Sequence, residues 1–359
     1  MLVHSESRGL ALARGFIVLI MPAVHTVLVY SNDSVKSGWI GTILGFLAEQ
    51  PGAQLFMLQM GLFIGIGRSK TMQQVTRRFM LLLLSGYTLN FLRLVLPYWW
   101  GGLPGTFLLH NQIKYTTDVA LQLFLVGDIL QFAALGYLFC QMTQRFLPGI
   151  YLKIVLLIVL LVISPLTWSL RFSHPVCQYT WGLFNGLPPQ VFFPFFPWIC
   201  YPVAGLIMAQ IVNQTHQRFK LPFWIFVSVL SIVGGYAIST LEAPSWNNNF
   251  YRLGVGGTIF HLGAAIAWTS LFIFLAQKVR SNIGFAFIER LSSNITPIYL
   301  LQWIIIIWLI PLFGFNKLGS SATIVAIGAT TWICFGFSFF LRKNKPKHSL
   351  GIFSINKKI

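Results

Sequence analysis

The sequence predicts an all-α, polytopic membrane helix bundle, and three observations carry that prediction. Of 359 residues, 56% are hydrophobic and only 9% are charged, whereas a soluble domain carries roughly 25% charged residues. Apolar runs long enough to cross a bilayer recur along the chain, about ten of them. Basic residues sit in alternate connections between those runs, the pattern that orients a multi-pass protein. A water-soluble enzyme, a disordered chain and a disulfide scaffold are excluded. The net charge of +18 would suggest nucleic acid in a soluble protein. Here the basic residues lie between apolar blocks, so membrane lipid is the expected partner and nucleic acid is not.

The ten expected spans are 11–30, 52–67, 80–98, 119–140, 151–170, 192–212, 221–238, 254–276, 295–312 and 322–341. With the N-terminus cytoplasmic, the inner segments hold Arg8, Arg14, Arg68, Lys70, Arg77, Arg78, Arg145, Lys153, Arg218, Lys220, Lys278, Arg280 and Arg290. The tail adds Arg342, Lys343, Lys345, Lys347, Lys357 and Lys358, for 19 inner basic residues. Lys36, Lys114, Arg171, Arg252 and Lys317 are the 5 outer ones, and Arg93 falls inside a span. That split places both termini in the cytoplasm, and an odd number of spans would destroy it. Residues 1–341 read as one integral membrane domain and 342–359 as a basic cytoplasmic tail. The first span lacks a small-residue cleavage pattern after Tyr30, so it is expected to be retained.

Ionisable groups at membrane depth cost on the order of 2.5–3.5 kcal/mol, so each needs a reason. His25, Asp128 and His261 stand in the first, fourth and eighth expected spans. At 1.5 Å per residue, each lies about 8–14 Å below the outer boundary. Arg14 precedes His25 by eleven residues, three helical turns. One helix face would then carry a cation at the inner surface and an imidazole deeper in, with Pro22 able to kink the helix between them. Gln59 and Gln302 are further polar candidates within spans. Each candidate also has a plain reading. Arg14, Arg77 and Arg78 serve as topology anchors, and His261 and Gln302 as helix-packing hydrogen bonds. Cys140, Cys177, Cys200 and Cys334 show no paired spacing, and no His/Cys/Asp cluster has metal-ligand spacing, so no metal is expected.

The segment Arg14-Gly15-Phe16-Ile17-Val18-Leu19-Ile20-Met21-Pro22-Ala23-Val24-His25 resembles the R-x10-H motif that opens the acyltransferase-3 family of integral membrane acyltransferases. Other pieces are similar to the related heparan-alpha-glucosaminide N-acetyltransferase branch. These are Met60-Gly61-Leu62-Phe63-Ile64-Gly65-Ile66-Gly67, then Arg77-Arg78 and a leucine run ending Ser85-Gly86. Gly127-Asp128-Ile129-Leu130-Gln131-Phe132 with Leu135-Gly136-Tyr137 resembles that branch's fourth-span motif. Phe195-Phe196-Pro197-Trp198 with Ala204-Gly205, and Ile298-Tyr299-Leu300-Leu301-Gln302-Trp303, resemble two later helices. In that branch an Asn fills the position of His25 and a His follows eleven residues later, where this chain has Lys36. The resemblance therefore implies chemistry of the acyltransferase-3 kind.

What the resemblance implies is transfer of an acetyl or other short acyl group from cytoplasmic acyl-CoA to a glycan or glycolipid acceptor, in a bacterial cytoplasmic membrane. Arg14, Lys70, Arg77 and Arg78 would meet the phosphates of the coenzyme. His25 would act as general base on a sugar hydroxyl or amine, and Asp128 would orient the imidazole. Gln59, His261 and Gln302 would line the polar cavity. The competing expectation is a proton-coupled transporter or flippase with His25, Asp128 and His261 as its relay. Neither the acceptor nor the oligomeric state follows from these residues.

Overall fold

The computed structural model describes residues 4–113, 118–215, 219–246 and 249–343. Lys114, Arg218 and residues 344–359 of the expected tail lie outside the described residues. The main helices are α1 (His4–Tyr30), α2 (Ala53–Ile66), α3 (Met72–Asn90), α4 (Ile129–Phe146), α5 (Ile150–Leu166) and α6 (Cys200–Gln214). They are followed by α7 (Leu221–Leu241), α8 (Val255–Lys278), α9 (Ile283–Ser293), α10 (Ile295–Trp308) and α11 (Ser320–Lys343). Among the described residues there is no β-sheet, only two isolated bridges.

Among the described residues, seven helical stretches are long and apolar enough to cross a membrane, or eight if the pair α9–α10, bent by 77°, counts as one. The protein is thus an all-α integral membrane protein with several spans. Where fewer stretches qualify than expected, local chemistry explains the difference. The expected span 52–67 is the 14-residue α2, entered through a π-helical turn Ala48–Gly52 that contains Pro51. The expected span 119–140 is broken: a short helix Val119–Phe124 ends, and α4 starts only after Asp128. The first helix, by contrast, runs unbroken through Pro22. Most of the surface of α7 is exposed. Phe226, Val229, Leu230, Val233 and Tyr236 form its exposed apolar stripe, which in water would be untenable.

The chain forms two compact units, 1–10 with 49–88 and 125–279, and 11–48 with 89–124 and 280–359. The first unit is organised by the seam between α2 and α6. A Cβ on Gly61 would run into the Pro202 carbonyl, and one on Gly205 into the Leu58 carbonyl. Gly65 faces Ala209 one turn further along, so the two helices run parallel with small residues at the contact. Without a hydrophobic drive between helices in lipid, such close backbone approach supplies the packing energy. Lys153 Nζ donates to Gln210 Oε1 at 2.7 Å, which sets α5 antiparallel to α6. At the other end of α6, the Trp198 indole donates to the Tyr251 carbonyl at 2.8 Å.

These contacts sort the basic residues of the first unit by end. Near the C-terminus of α6 lie the α2–α3 connection with Lys70, then Lys153 and Lys220. Arg8 donates to the Val279 carbonyl at 3.0 Å, and the Glu6 carboxylate accepts from Phe219 N at 2.8 Å. The start of α1, the start of α7 and the end of α8 therefore share that end. Arg171 and Arg252 lie at the opposite one.

In the second unit α1 lies along α10 and α11. Tyr30 donates to the Ile306 carbonyl at 2.6 Å, while Thr26 and Ser31 pair with Thr330 and Thr323 at 2.7 and 3.0 Å. Gly15, directly after Arg14, lets the Ile288 carbonyl approach; any Cβ there would collide with it. A π-helical turn Phe91–Val95 continues α3 and is pinned to α10 by a 2.8 Å bond from the Trp308 indole to the Leu92 carbonyl.

Candidate functional site

The second unit holds His25, Arg14 and Gln302. His25 is half-buried on α1, and its imidazole stacks on the Trp303 indole at 4.2 Å between centroids and 30° between planes. The Arg93 guanidinium lies over the same indole, 4.9 Å from its centroid. Arg93 is only 4% exposed, and it donates to Asn90 Oδ1 at 3.0 Å, whose amide in turn donates to the Phe124 carbonyl at 2.9 Å. One tryptophan thus holds an imidazole and a buried cation in a fixed relation. Arg93 stands within the π-helical turn Phe91–Val95, and such turns occur frequently at functional sites.

Gln302, next to Trp303, is fully buried, and neither its amide nitrogen nor its oxygen has a hydrogen-bond partner. An unmet amide at that depth costs about 1–3 kcal/mol. Arg14 is half-buried on α1, three turns before the imidazole.

The first unit holds Lys70, Arg77, Arg78, Gln59, Asp128 and His261. Arg77 and Lys70 are exposed, whereas Arg78 is half-buried with its guanidinium 5.3 Å from the centre of the Tyr137 ring. The Lys70 ammonium is pushed below the ordinary lysine range, first by lost hydration and then by the like charge of Arg78. Two cations that repel each other in this way are a ready cradle for a polyanion. Gln59, buried on α2, donates to the Leu10 carbonyl at 3.4 Å.

Asp128 is the N-cap of α4. Its carboxylate accepts from Ile129 N at 2.7 Å, while Gln131 Oε1 accepts from Asp128 N at 3.1 Å in a reciprocal capping box. This explains why a carboxylate stands inside an apolar run: the helix begins there and its first amides need acceptors. Gly86 leaves room for Gln131 against α3. Nearby, burial raises the Tyr251 phenol, with the charges of Asp128 and Glu49 adding to the effect. His261 is buried on α8 and its Nδ1 donates to the Gly257 carbonyl of its own helix at 2.8 Å, so Nε2 carries the free lone pair when the ring is neutral.

The sequence singles out His25, Arg14, Gln302, Lys70, Arg77, Arg78, Gln59, Asp128 and His261, but not Arg93, Asn90, Tyr251 or the role of Trp303. Trp303 stood beside Gln302 in a motif already noted, but nothing linear ties it to His25. Tyr251 sits in a connection without any motif. Among the described residues no group of three His, Cys, Asp or Glu side chains is placed to hold a metal.

Residues 8–341 fit the family model of the acyltransferase domain that defines the acyltransferase-3 family. No curated protein and no solved structure matches the chain significantly. The match begins at Arg8, takes in the Arg14–His25 segment and ends within α11, so it spans nearly the whole chain. The protein, an integral multi-pass membrane acyltransferase, belongs to the acyltransferase-3 family.

Proposed function

We propose that the protein moves an acetyl or other short acyl group from cytoplasmic acyl-CoA to a hydroxyl or amine of a surface glycan or glycolipid. The seating of His25 carries this reading: an imidazole on an uninterrupted helix, eleven residues beyond Arg14, held face-on against Trp303. The rise between the two is about 16 Å, a span that the thin pantetheine arm of the coenzyme can bridge. Lys70, Arg77, Arg78 and Arg14 are the cations this reading assigns to the phosphates of the coenzyme. A bacterial cytoplasmic membrane is the setting this implies.

The chemistry needs one base. A neutral imidazole of His25 takes the proton of the acceptor hydroxyl or amine as its oxygen or nitrogen attacks the thioester carbonyl carbon. The carbon–sulfur bond then breaks, and the departing thiolate takes up the proton from the imidazolium. Asp128 is assigned the orienting role in this reading, in addition to its work as a helix cap. Membership of an acyltransferase family favours transfer over the proton-coupled relay, as does the commitment of His261 Nδ1 to its own helix.

The test is acyl transfer by purified protein in bilayers, with labelled acetyl-CoA on one side and surface glycan as acceptor. His25→Ala is expected to lose at least a hundredfold in kcat, since a general base contributes roughly 10²–10⁴-fold. Arg78→Gln is expected to raise the KM for the acyl donor and leave kcat near its original value. Undiminished transfer by a correctly inserted His25→Ala protein refutes the proposal.

A further inference from the structure

At the end of the first unit remote from Lys70 and Arg78, two guanidinium groups meet on one carbonyl oxygen. Arg171 NH1 donates to the Trp168 carbonyl at 2.7 Å, and Arg252 NH2 donates to the same oxygen at 2.9 Å. Arg252 is 7% exposed and lies over the Trp168 ring at 4.7 Å. Its Nε–H is buried with no acceptor, and so is the Trp168 Nε1–H. Among the described residues no carboxylate pairs with either guanidinium. Glu242, the nearest acid along the chain, is committed to the first amides of α8, accepting from Val255 N at 2.8 Å and Gly256 N at 3.2 Å. Burial, and then the like charge of Arg171, lower the Arg252 guanidinium to about 10.

Two positive charges side by side, one of them withdrawn from water, together with two unmet N–H donors, ask for an oxoanion. We propose that Arg252, Arg171 and Trp168 form a phosphate-binding site at this end of the protein. A guanidinium fork and an indole N–H suit a phosphate, whose charge also answers the doubled cation. Trp168 and Trp246, packed edge to face at 6.0 Å, place the pair among aromatics of the kind that sit at headgroup level. The phosphate is then either that of a lipid headgroup or a soluble one. The site stands whether or not acyl transfer is the activity.

Full-length protein in a phosphate-free alkyl maltoside is titrated with inorganic phosphate and, separately, with short-chain phosphatidylglycerol. Ligand-induced thermal stabilisation is the readout, and an Arg78→Gln background weakens the contribution of the other basic end. Saturable stabilisation is expected, with apparent affinity falling about tenfold or more in Arg171→Gln and in Arg252→Gln. Arg68→Gln should leave it unchanged. Arg171 is exposed, so that variant will fold even if Arg252→Gln does not, and Trp168→Phe tests the indole N–H alone. Tighter binding of the lipid than of inorganic phosphate identifies a headgroup, and the reverse order a soluble ligand; both uphold the site. Unaltered affinity in Arg171→Gln and Trp168→Phe, or no saturable binding of either probe, overturns it.

Discussion

Replacing Trp303 separates what the indole does for stability from what it does for catalysis. Trp303→Leu removes the stack on His25 at 4.2 Å and the platform under Arg93 at 4.9 Å. An aromatic pair is worth about 0.5–1.5 kcal/mol beyond its area, and a desolvated cation–π contact about 2 kcal/mol. Together they amount to about 3 kcal/mol before any cavity is counted, against a total stability of roughly 5–15 kcal/mol. The protein should stay folded but melt earlier. Its imidazole loses the surface that fixes its plane, and a misplacement of about 1 Å can cost 10²-fold in rate. Trp303→Leu is therefore expected to lower kcat about a hundredfold with little change in the donor's KM, and Trp303→Phe about tenfold. Steady-state acyl transfer in nanodiscs, alongside thermal unfolding of the same samples, measures both. A Trp303→Leu protein that melts early yet keeps the original kcat refutes the positioning role.

Gly205→Ala should destabilise by about 1–3 kcal/mol through overpacking, since its methyl meets the Leu58 carbonyl and stands 2.8 Å from Leu62 N; an unchanged melting temperature would mean the seam between α2 and α6 is not tight. Asp128→Asn keeps a competent cap, whereas Asp128→Ala costs about 1 kcal/mol. If the carboxylate also orients the imidazole, Asp128→Asn keeps its melting temperature and loses kcat; full activity confines the residue to capping. Gln302→Leu removes a buried amide with neither atom satisfied and should raise stability by about 1–3 kcal/mol while lowering acyl transfer, as measured by unfolding and turnover together.

The fold class was legible because apolar runs and alternating basic loops are dictated by the bilayer itself. The first unit repeats that alternation in three dimensions, with Lys70, Lys153 and Lys220 at one end and Arg171 and Arg252 at the other. What stayed hidden were interruptions. Hydropathy over 119–140 does not register that Gly127-Asp128 ends one helix and caps the next, although the Asp128 to Gln131 spacing of a capping box was there to be read. The candidate base was legible from the Arg14 to His25 spacing. Its neighbour Trp303 and the buried Arg93 were not, because they reach α1 from helices far along the chain and through a π-helical turn that no periodicity announces.

The break before α4 has a cost that another part of the chain must meet. The capping box rests against Gly86, close to the midpoint of the Met72–Trp99 stretch, so the break falls beside the middle of a helix long and apolar enough to cross a membrane. Lipid offers bare peptide groups nothing. The chain answers by sending the segment around Val191 down beside Gly127, where Gly127 N donates to the Gln190 carbonyl at 2.7 Å and Phe192 N to the Gly127 carbonyl at 2.8 Å. That connection is consequently not a surface loop free to vary. Lengthening it, or placing proline at 192, would take away the partner of the Gly127 carbonyl, and an unmet peptide group beside so apolar a stretch is expected to lower the yield of inserted protein before it alters any reaction.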